Sequence, residues 1–259
     1  MHTGKTWAIV LADDSWPEAA GGERHTDGAT VSLRSVIGQL RGIVSRSRIY
    51  AIVDAAQPEY WRADVWALPA SAVIGRPAHQ AAGACVLLAL LAIERADPHA
   101  QVLIVPVGIP EMLLAALLAA SASTLELARR RNCVVLIGDR QQGSADALGH
   151  CDIDLGLSIV AASVATLIGS YETLRPRSLT QLRQVLAPVR RGGASPVPVG
   201  SLAPLLDSVA PESAEDEMLV CCADRLHVLD VSRDLTGHWD VPLVTGAAEA
   251  DRSPLQMIH

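Results

Sequence analysis

The sequence lacks the concentrated basic face that a nucleic-acid-binding protein needs. Its 259 residues carry a formal net charge of −7 at pH 7, with a pI near 5.6. Phosphate binding by counterion release requires clustered Lys and Arg side chains. The longest basic run, Arg129–Arg131, closes an apolar helical stretch, where cations stabilise the carbonyl end of the helix dipole. We therefore expect no nucleic-acid partner.

The cysteine pattern, the amino-terminal segment and the most apolar run do not indicate disulfides, secretion or a membrane span. None of the five cysteines belongs to a CxxC pair, and most lie in apolar segments, which predicts buried thiols in a reducing cytoplasm. A strand-like segment starts at Trp7 without the charged region and cleavage site of a signal peptide. The most apolar run, Ala81–Ile93, is too short to cross a bilayer. We expect a cytoplasmic protein that has no membrane partner.

Several common catalytic motifs are absent as well. The eight histidines show no HxH or HExxH spacing, which disfavours a histidine metal site. No GxSxG elbow supports a hydrolase triad, and no GxGxxG supports a dinucleotide-binding Rossmann motif. We interpret four of the histidines as polar surface or loop residues. They are His79, His150, His227 and His238.

What the sequence does contain is a series of short, continuous apolar runs alternating with helical patterns. Continuous runs predict parallel strands that are buried on both faces. The runs are Trp7–Ala12, Ile49–Asp54, Gln101–Pro106 and Cys133–Gly138. Helical spacing begins at about Val31 and recurs over His79–Ala96 and Pro110–Arg131. The alternation predicts a doubly wound α/β fold with helices on both faces of the sheet.

Beyond Gly138 the pattern is less regular. We predict one strand and two helices there, then two closing strands and two polar loops. The strand and helices fall within Ile153–Ile168 and Leu179–Val189, the closing strands are Met218–Cys222 and Arg225–Val231, and the loops are Asp139–His150 and Arg190–Gly200. We assign residues 1–247 to a single domain and residues 248–259 to a loosely held tail.

The first strand carries a resemblance to a known family. Trp7–Ala12 resembles the opening strand of the sugar-phosphate nucleotidyltransferases, most closely the mannose-1-phosphate guanylyltransferases. In that family two glycines, a Gly-Thr-Arg-Leu stretch and Trp-Pro follow, whereas Asp13 and Asp14 stand here for the glycines and the Gly-Thr-Arg part is missing. Such a loop brings backbone N–H groups and an arginine to the triphosphate. The resemblance assigns Ala12, Asp13 and Asp14 to the nucleotide side.

A second match covers Val73–Gly83 and the helix after it. Gly75 and Arg76 match the start of the family's Gly-Arg-Asn-Thr-Ala-Pro-Ala turn beside the base, while Pro77 and Ala78 replace the pair that reads the base. The resemblance therefore adds Gly75, Arg76 and Gly83 to the nucleotide-binding residues. It also implies a three-layer α/β/α, Rossmann-like nucleotide-diphospho-sugar transferase fold with a mixed, mostly parallel sheet.

The third group of positions concerns the metal and the sugar. Gly108 stands where the family has the aspartate of Pro-Ala-Asp-His, which binds Mg²⁺, and glycine offers no ligand. Gly149 and His150 fall at the family's sugar-side turn. Asp240 matches the second metal ligand, in a stretch similar to the family's Gly-Trp-Ser-Asp. The resemblance implies Mg²⁺ as the cofactor only if the protein is active.

The lysine content also separates this chain from active relatives. Lys5 is the single lysine and precedes the first strand, whereas the family uses one lysine after the signature loop and another near the sugar phosphate. We assign no catalytic residue. The losses favour a catalytically silent protein that binds a nucleotide or sugar phosphate, or serves as a partner subunit, in polysaccharide or nucleotide-sugar metabolism.

Two alternatives remain open. One is an active sugar-1-phosphate nucleotidyltransferase in which Asp13, Asp14 and Asp240 hold the metal and arginines hold the phosphates. The other is an assembly protein whose alanine-rich helices form a subunit interface and which binds no ligand.

Overall fold

The computed structural model describes residues 5–12, 32–77, 82–138, 158–186, 225–230 and 244–245. The strands in these residues are β1 (Thr6–Ala12), β2 (Ile49–Asp54), β3 (Val73–Arg76), β4 (Gln101–Pro106), β5 (Val134–Gly138), β6 (Ile159–Ser163), β7 (Leu226–Asp230) and β8 (Val244–Thr245). They form one sheet in the order β3-β2-β1-β4-β6-β5-β7-β8. The helices are α1 (Leu33–Leu40), α2 (Pro58–Trp61), α3 (Gly83–Ala96), α4 (Glu111–Arg131), α5 (Val164–Leu174) and α6 (Pro176–Leu186).

The sheet is mixed and mostly parallel. Strand β1 pairs parallel with β2 and β4, β2 with β3, and β5 with β7. Strand β6 lies antiparallel between β4 and β5, and β8 lies antiparallel to β7. The four continuous apolar runs all form strands of this sheet, as the sequence predicts.

Helices cover both faces of the sheet. Along β1, Ile9 and Leu11 belong to the buried cluster that contains α3, α5 and α6, whereas Ala8 and Val10 belong to the cluster that contains α1 and α4. This alternation is the period-two pattern of a strand that is buried on both sides. The three-layer α/β/α prediction is therefore confirmed.

Helix α1 illustrates how the local sequence sets an element. Ser32 is its N-cap, and its hydroxyl accepts a hydrogen bond from the N–H of Ser35 at 3.4 Å. The buried residues of the helix recur at three- and four-residue spacing, which places them on one stripe. They are Leu33, Val36, Ile37 and Leu40.

Helix α4 is long and apolar enough to span a membrane by length and composition alone. In this fold it packs against the sheet, and Leu114, Leu117 and Ala128 are fully buried. The helix ends at Asn132, whose φ of 51° is left-handed. The Asn132 side chain also accepts a 2.8 Å hydrogen bond from the hydroxyl of Thr166 in α5, so the cap ties two helices together.

The chain after Gly138 largely follows the sequence prediction. Strand β6 and helices α5 and α6 supply the expected strand and two helices, and β7 lies within the predicted Arg225–Val231 strand. The predicted strand Met218–Cys222, both predicted loops and the tail lie outside the described residues. The division into one domain and a tail stays a prediction.

His227, which we interpret as a surface or loop residue, is a strand residue in the structure. His227 lies in β7, where it is half-buried, and its register partners are Val135 and Thr245. Burial lowers the pKa of His227 below 6.5, and the charge of Arg131 lowers it further. The other three histidines with this interpretation, His79, His150 and His238, lie outside the described residues.

The prediction of buried thiols is confirmed for Cys85 and Cys133. Burial raises the pKa of the Cys133 thiol, so its reactive thiolate form is disfavoured. The remaining cysteines, Cys151, Cys221 and Cys222, lie outside the described residues.

Candidate ligand site at the carboxyl edge of the sheet

The carboxyl ends of the parallel strands form the edge where ligands bind in open α/β sheets. The strand order reverses between the neighbours β1 and β4, because β2 and β3 continue to one side of β1 while β4 lies on the other. Helices α1 and α3, which lead out of β1 and into β4, lie on opposite faces of the sheet. The reversal makes this part of the edge the expected position of a ligand crevice.

Two of the predicted nucleotide residues lie in one row across this edge. Ala12 pairs with Val53, and Val53 pairs with Gly75. Because neighbouring strands are about 4.8 Å apart, the backbones of Ala12 and Gly75 are separated by roughly 10 Å. The resemblance places Gly75 and Arg76 in a turn, but in the structure they are the last two residues of strand β3.

Arg76 is engaged in an ion pair. Its Nη2 lies 3.8 Å from Oδ2 of Asp54, and the two side chains are only 8% and 14% exposed. Asp54 Oδ1 also accepts a 2.8 Å hydrogen bond from the N–H of Ala56, and the carbonyl of Asp54 accepts one of 2.6 Å from the indole N–H of Trp61. The pair therefore joins the ends of β2 and β3 and offsets the charge of Arg76.

Sequence reasoning missed Asp54. In the sequence, Asp54 stands only as the last residue of an apolar run. The available signal was the position of a carboxylate directly after five apolar residues, at the end of a parallel strand where ligand-side residues lie. What the sequence alone does not give is the register that places Asp54 opposite Arg76.

Helix α3 directs its N-terminus to the same edge, because it follows β3. Its N-cap is Ala82, which makes no side-chain hydrogen bond to the first turn, and that turn contains no acidic residue. The N–H groups from Gly83 onward and the positive end of the helix dipole are therefore not offset by a local carboxylate. This end of α3 is suited to an anion. The first turn of α4, by contrast, carries Glu111.

The turn after β4 differs from a metal-binding turn in its backbone as well as its side chain. Gly108 has a φ of 101°, a conformation that L residues rarely adopt. The N–H of the preceding Val107 donates a 2.8 Å hydrogen bond to the carbonyl of Leu11, which fixes the turn against β1. An aspartate at this position would therefore be strained.

The donors in the described part of the chain do not fit Mg²⁺. Among those residues, no group of three or more His, Cys, Asp or Glu side chains is placed to hold a metal ion. Asp54 faces a guanidinium, and Gly108 has no donor side chain. The predicted ligand Asp240 lies outside the described residues. So do four other predicted site residues, Asp13, Asp14, Gly149 and His150.

The chain segments that leave this edge are acidic in sequence. Segment 13–31, which follows β1, contains five Asp or Glu residues and one Arg, and segment 139–157, which follows β5, contains four Asp residues and one Arg. Lys5 lies at the opposite, amino end of β1, where its carbonyl accepts a 3.0 Å hydrogen bond from the N–H of Gln101. Arg34, the first arginine after segment 13–31, is 62% exposed and pairs with Asp64 at 3.3 Å.

The far half of the edge is tightly packed. A Cβ built on Gly138, the last residue of β5, would lie 2.2 Å from Oγ and 3.2 Å from Cβ of Ser158, which is 2% exposed. Only glycine fits this close approach between the end of β5 and the start of β6. No side chain at position 138 is therefore available to a ligand.

Comparison with known proteins supports the fold. No protein-family model matches the sequence, and no curated protein matches it. The structure is similar to that of mannose-1-phosphate geranyltransferase from Thermus thermophilus, with a TM-score of 0.55 and 14% identity over 87% of this chain and 73% of that chain. At this identity the likeness establishes a shared fold and nothing finer. It agrees with the α/β, Rossmann-like fold and its mixed, mostly parallel sheet.

Two further solved structures are less similar to this chain. Mannose-6-phosphate isomerase from Helicobacter pylori gives a TM-score of 0.45 and 10% identity, over 70% of this chain and 80% of that chain. 4-Diphosphocytidyl-2C-methyl-D-erythritolsynthase from Anaerococcus prevotii gives 0.43 and 13%, over 71% of this chain and 82% of that chain.

Proposed function

We propose that the protein is a catalytically silent, nucleotidyltransferase-like binder of a nucleotide or sugar phosphate. It acts in the cytoplasm, as a ligand-binding protein or partner subunit of polysaccharide or nucleotide-sugar metabolism. The ligand lies at the carboxyl edge between β1 and α3. Its phosphate meets the first turn of α3 at Gly83, and its remainder extends along the row formed by Ala12 and Gly75.

The observation that carries the silent part of the proposal is the turn at Gly108. Nucleotidyl transfer places negative charge on the α-phosphate and the departing pyrophosphate, and carboxylate-held metal ions normally stabilise that charge. The left-handed φ of Gly108 disfavours any carboxylate-bearing residue at this position. With the charge of Arg76 offset by Asp54, the described edge has the means to hold one anion and lacks the means to stabilise a reacting triphosphate.

The binding part is tested by releasing Arg76 from its carboxylate. Asp54→Asn keeps the acceptor for the Ala56 N–H but removes the negative charge that offsets the guanidinium. We expect it to tighten binding of mannose 1-phosphate and of GDP, measured by isothermal titration calorimetry, by roughly ten- to 150-fold, the range of one charge-assisted hydrogen bond.

The matched control is Asp64→Asn, which also removes one carboxylate that pairs with an arginine, but on α1's side of the protein surface. It should leave both affinities unchanged. If Asp54→Asn behaves like Asp64→Asn, or weakens binding, the proposed ligand position is wrong. Wild-type protein that gives no heat with any nucleotide or sugar phosphate, and no rise in melting temperature, contradicts the binding function itself.

A further inference from the structure

The first half of the outward face of α4 is apolar and is left uncovered by the described part of the chain. Only 44% of the most apolar 18-residue stretch of this helix is buried, and the last turns of the same face carry Glu126, Arg129 and Arg130. Met112 is 86% exposed, more than any other large hydrophobic residue in that part of the protein. Three alanines continue the same face along the helix: Ala115, Ala119 and Ala122, all exposed. An apolar stripe in this position favours a protein partner over solvent.

The spacing of the outward-facing residues of α4, from Met112 through the three alanines to Glu126 and Arg129, is the same counted from either end. Residues 112, 115, 119, 122, 126 and 129 are separated by three, four, three, four and three positions. That is the seam of a helix that packs against another helix. A palindromic seam fits an antiparallel copy of itself, since the same patch must meet itself in a two-fold symmetric contact.

The charges of α4 fit the same arrangement. The helix begins with Glu111 and ends with Arg129, Arg130 and Arg131, and Glu126 accounts for part of that positive charge through its contacts with Arg129 and Arg130 at 2.6 and 2.7 Å. In an antiparallel pair that brings Ala119 over Ala122, each acidic start lies beside the other copy's basic end. The helix dipoles are also opposed, which is favourable.

We infer that α4 is the interface of a homodimer, in which two copies pack their α4 helices antiparallel around a two-fold axis between Ala119 and Ala122. The small side chains at the axis let the helices approach closely, and Met112 of each copy lies against the stem of Arg129 of the other. The inference stands apart from the proposed ligand function, because α4 contributes no residue to the nucleotide row at Ala12 and Gly75.

The experiment is sedimentation equilibrium of the full chain over roughly 1 to 200 µM, which covers the range of a weak to moderate dimer. Wild-type protein is expected to populate a dimer. Ala119→Glu, which places a carboxylate on the two-fold axis, should raise the dimer dissociation constant at least tenfold. Its control is Ala165→Glu, the same change at an exposed alanine on α5. Circular dichroism of dilute samples checks that both variants fold.

A charge exchange tests the antiparallel direction. Glu111→Arg and Arg130→Glu should each weaken the dimer, and the double variant should return it to within threefold of wild type. The inference is overturned by a protein that is monomeric over the whole range, or by equal effects of Ala119→Glu and Ala165→Glu. It is also overturned by a monomer that sediments with lipid vesicles and loses that property in Ala119→Glu.

Discussion

Replacing Gly108 tests whether the turn after β4 excludes a metal-binding side chain. A Cβ at this position meets nothing within 4 Å, so a substitution adds no steric contact and its cost comes from the backbone alone. Left-handed conformations cost a residue other than glycine about 1–2 kcal/mol. In a protein of this size each kcal/mol corresponds to roughly 2–4 °C, so we expect Gly108→Ala to lower the melting temperature by about 2–8 °C.

The decrease in melting temperature should depend on which side chain is placed at position 108. Aspartate and asparagine tolerate left-handed backbone better than alanine does, and β-branched residues tolerate it worst. Gly108→Asp should therefore destabilise less than Gly108→Ala, and Gly108→Val should destabilise most. In Gly108→Asp the charge of Arg76 is still offset by Asp54, and the described edge supplies no second metal ligand. This variant should therefore also gain no Mg²⁺-dependent turnover.

The control for this series is Gly38→Ala in α1. Gly38 is exposed, and its added Cβ would likewise meet nothing within 4 Å, but its backbone is helical. Alanine in a helix interior is favoured over glycine by about 0.5–1 kcal/mol, so the same chemical change should here raise the melting temperature. The reasoning would be refuted if Gly38→Ala and Gly108→Ala both raised or both lowered the melting temperature.

Three further predictions concern stability. Gly138→Ala should strongly lower the free energy of unfolding, because the new Cβ would lie 2.2 Å from Oγ of Ser158. Adding Ser158→Ala to that variant removes the Oγ and should recover part of the loss. Additive effects of the two substitutions in a double-mutant cycle would contradict this contact. In urea denaturation, Asn132→Gly should lower the free energy of unfolding less than Asn132→Ala does. Glycine keeps the left-handed backbone of the cap and loses only the hydrogen bond to α5, whereas alanine loses both. The reverse order of the two variants would contradict this role of Asn132. Because the pKa of His227 is lowered in the folded protein, the unfolded chain binds a proton at a higher pH than the folded chain does. The free energy of unfolding should therefore decrease as the pH falls below about 6.5, and His227→Gln should reduce that decrease. An unchanged pH dependence in His227→Gln would exclude His227 as its source.

The strands and helices were predictable because each carries its own periodicity. The β1, β2, β4 and β5 runs are each apolar at four or more successive positions, which indicates burial on both faces. The sequences of α3 and α4 carry helical patterns of their own. Strand β3 carries too short a run, Val73–Arg76, to be recognised alone. It forms because it pairs with β2, and pairing is a tertiary property.

The candidate site was predictable only where the chain is locally constrained. The position of a ligand at the carboxyl edge follows from the strand-helix alternation. The absence of a carboxylate at 108 is visible in the sequence, but its backbone strain is not. The neutralisation of Arg76 depends on Asp54, a residue 22 positions earlier, and the register that joins them is set by packing. For the same reason the pairing of β7 with β5 could not be predicted, although the strand Arg225–Val231 was, because β5 is distant in sequence.

The central claim is that this edge binds a phosphate ligand without transferring a nucleotidyl group. Phosphorus NMR of the protein with mannose 1-phosphate, GTP and Mg²⁺ tests this claim most directly. The measurement is then repeated with each of the other nucleoside triphosphates in place of GTP. We predict spectra that change only through binding, with no growth of pyrophosphate or sugar-nucleotide signals. Signals that grow in proportion to protein concentration, and vanish in Asp240→Asn, would contradict the claim.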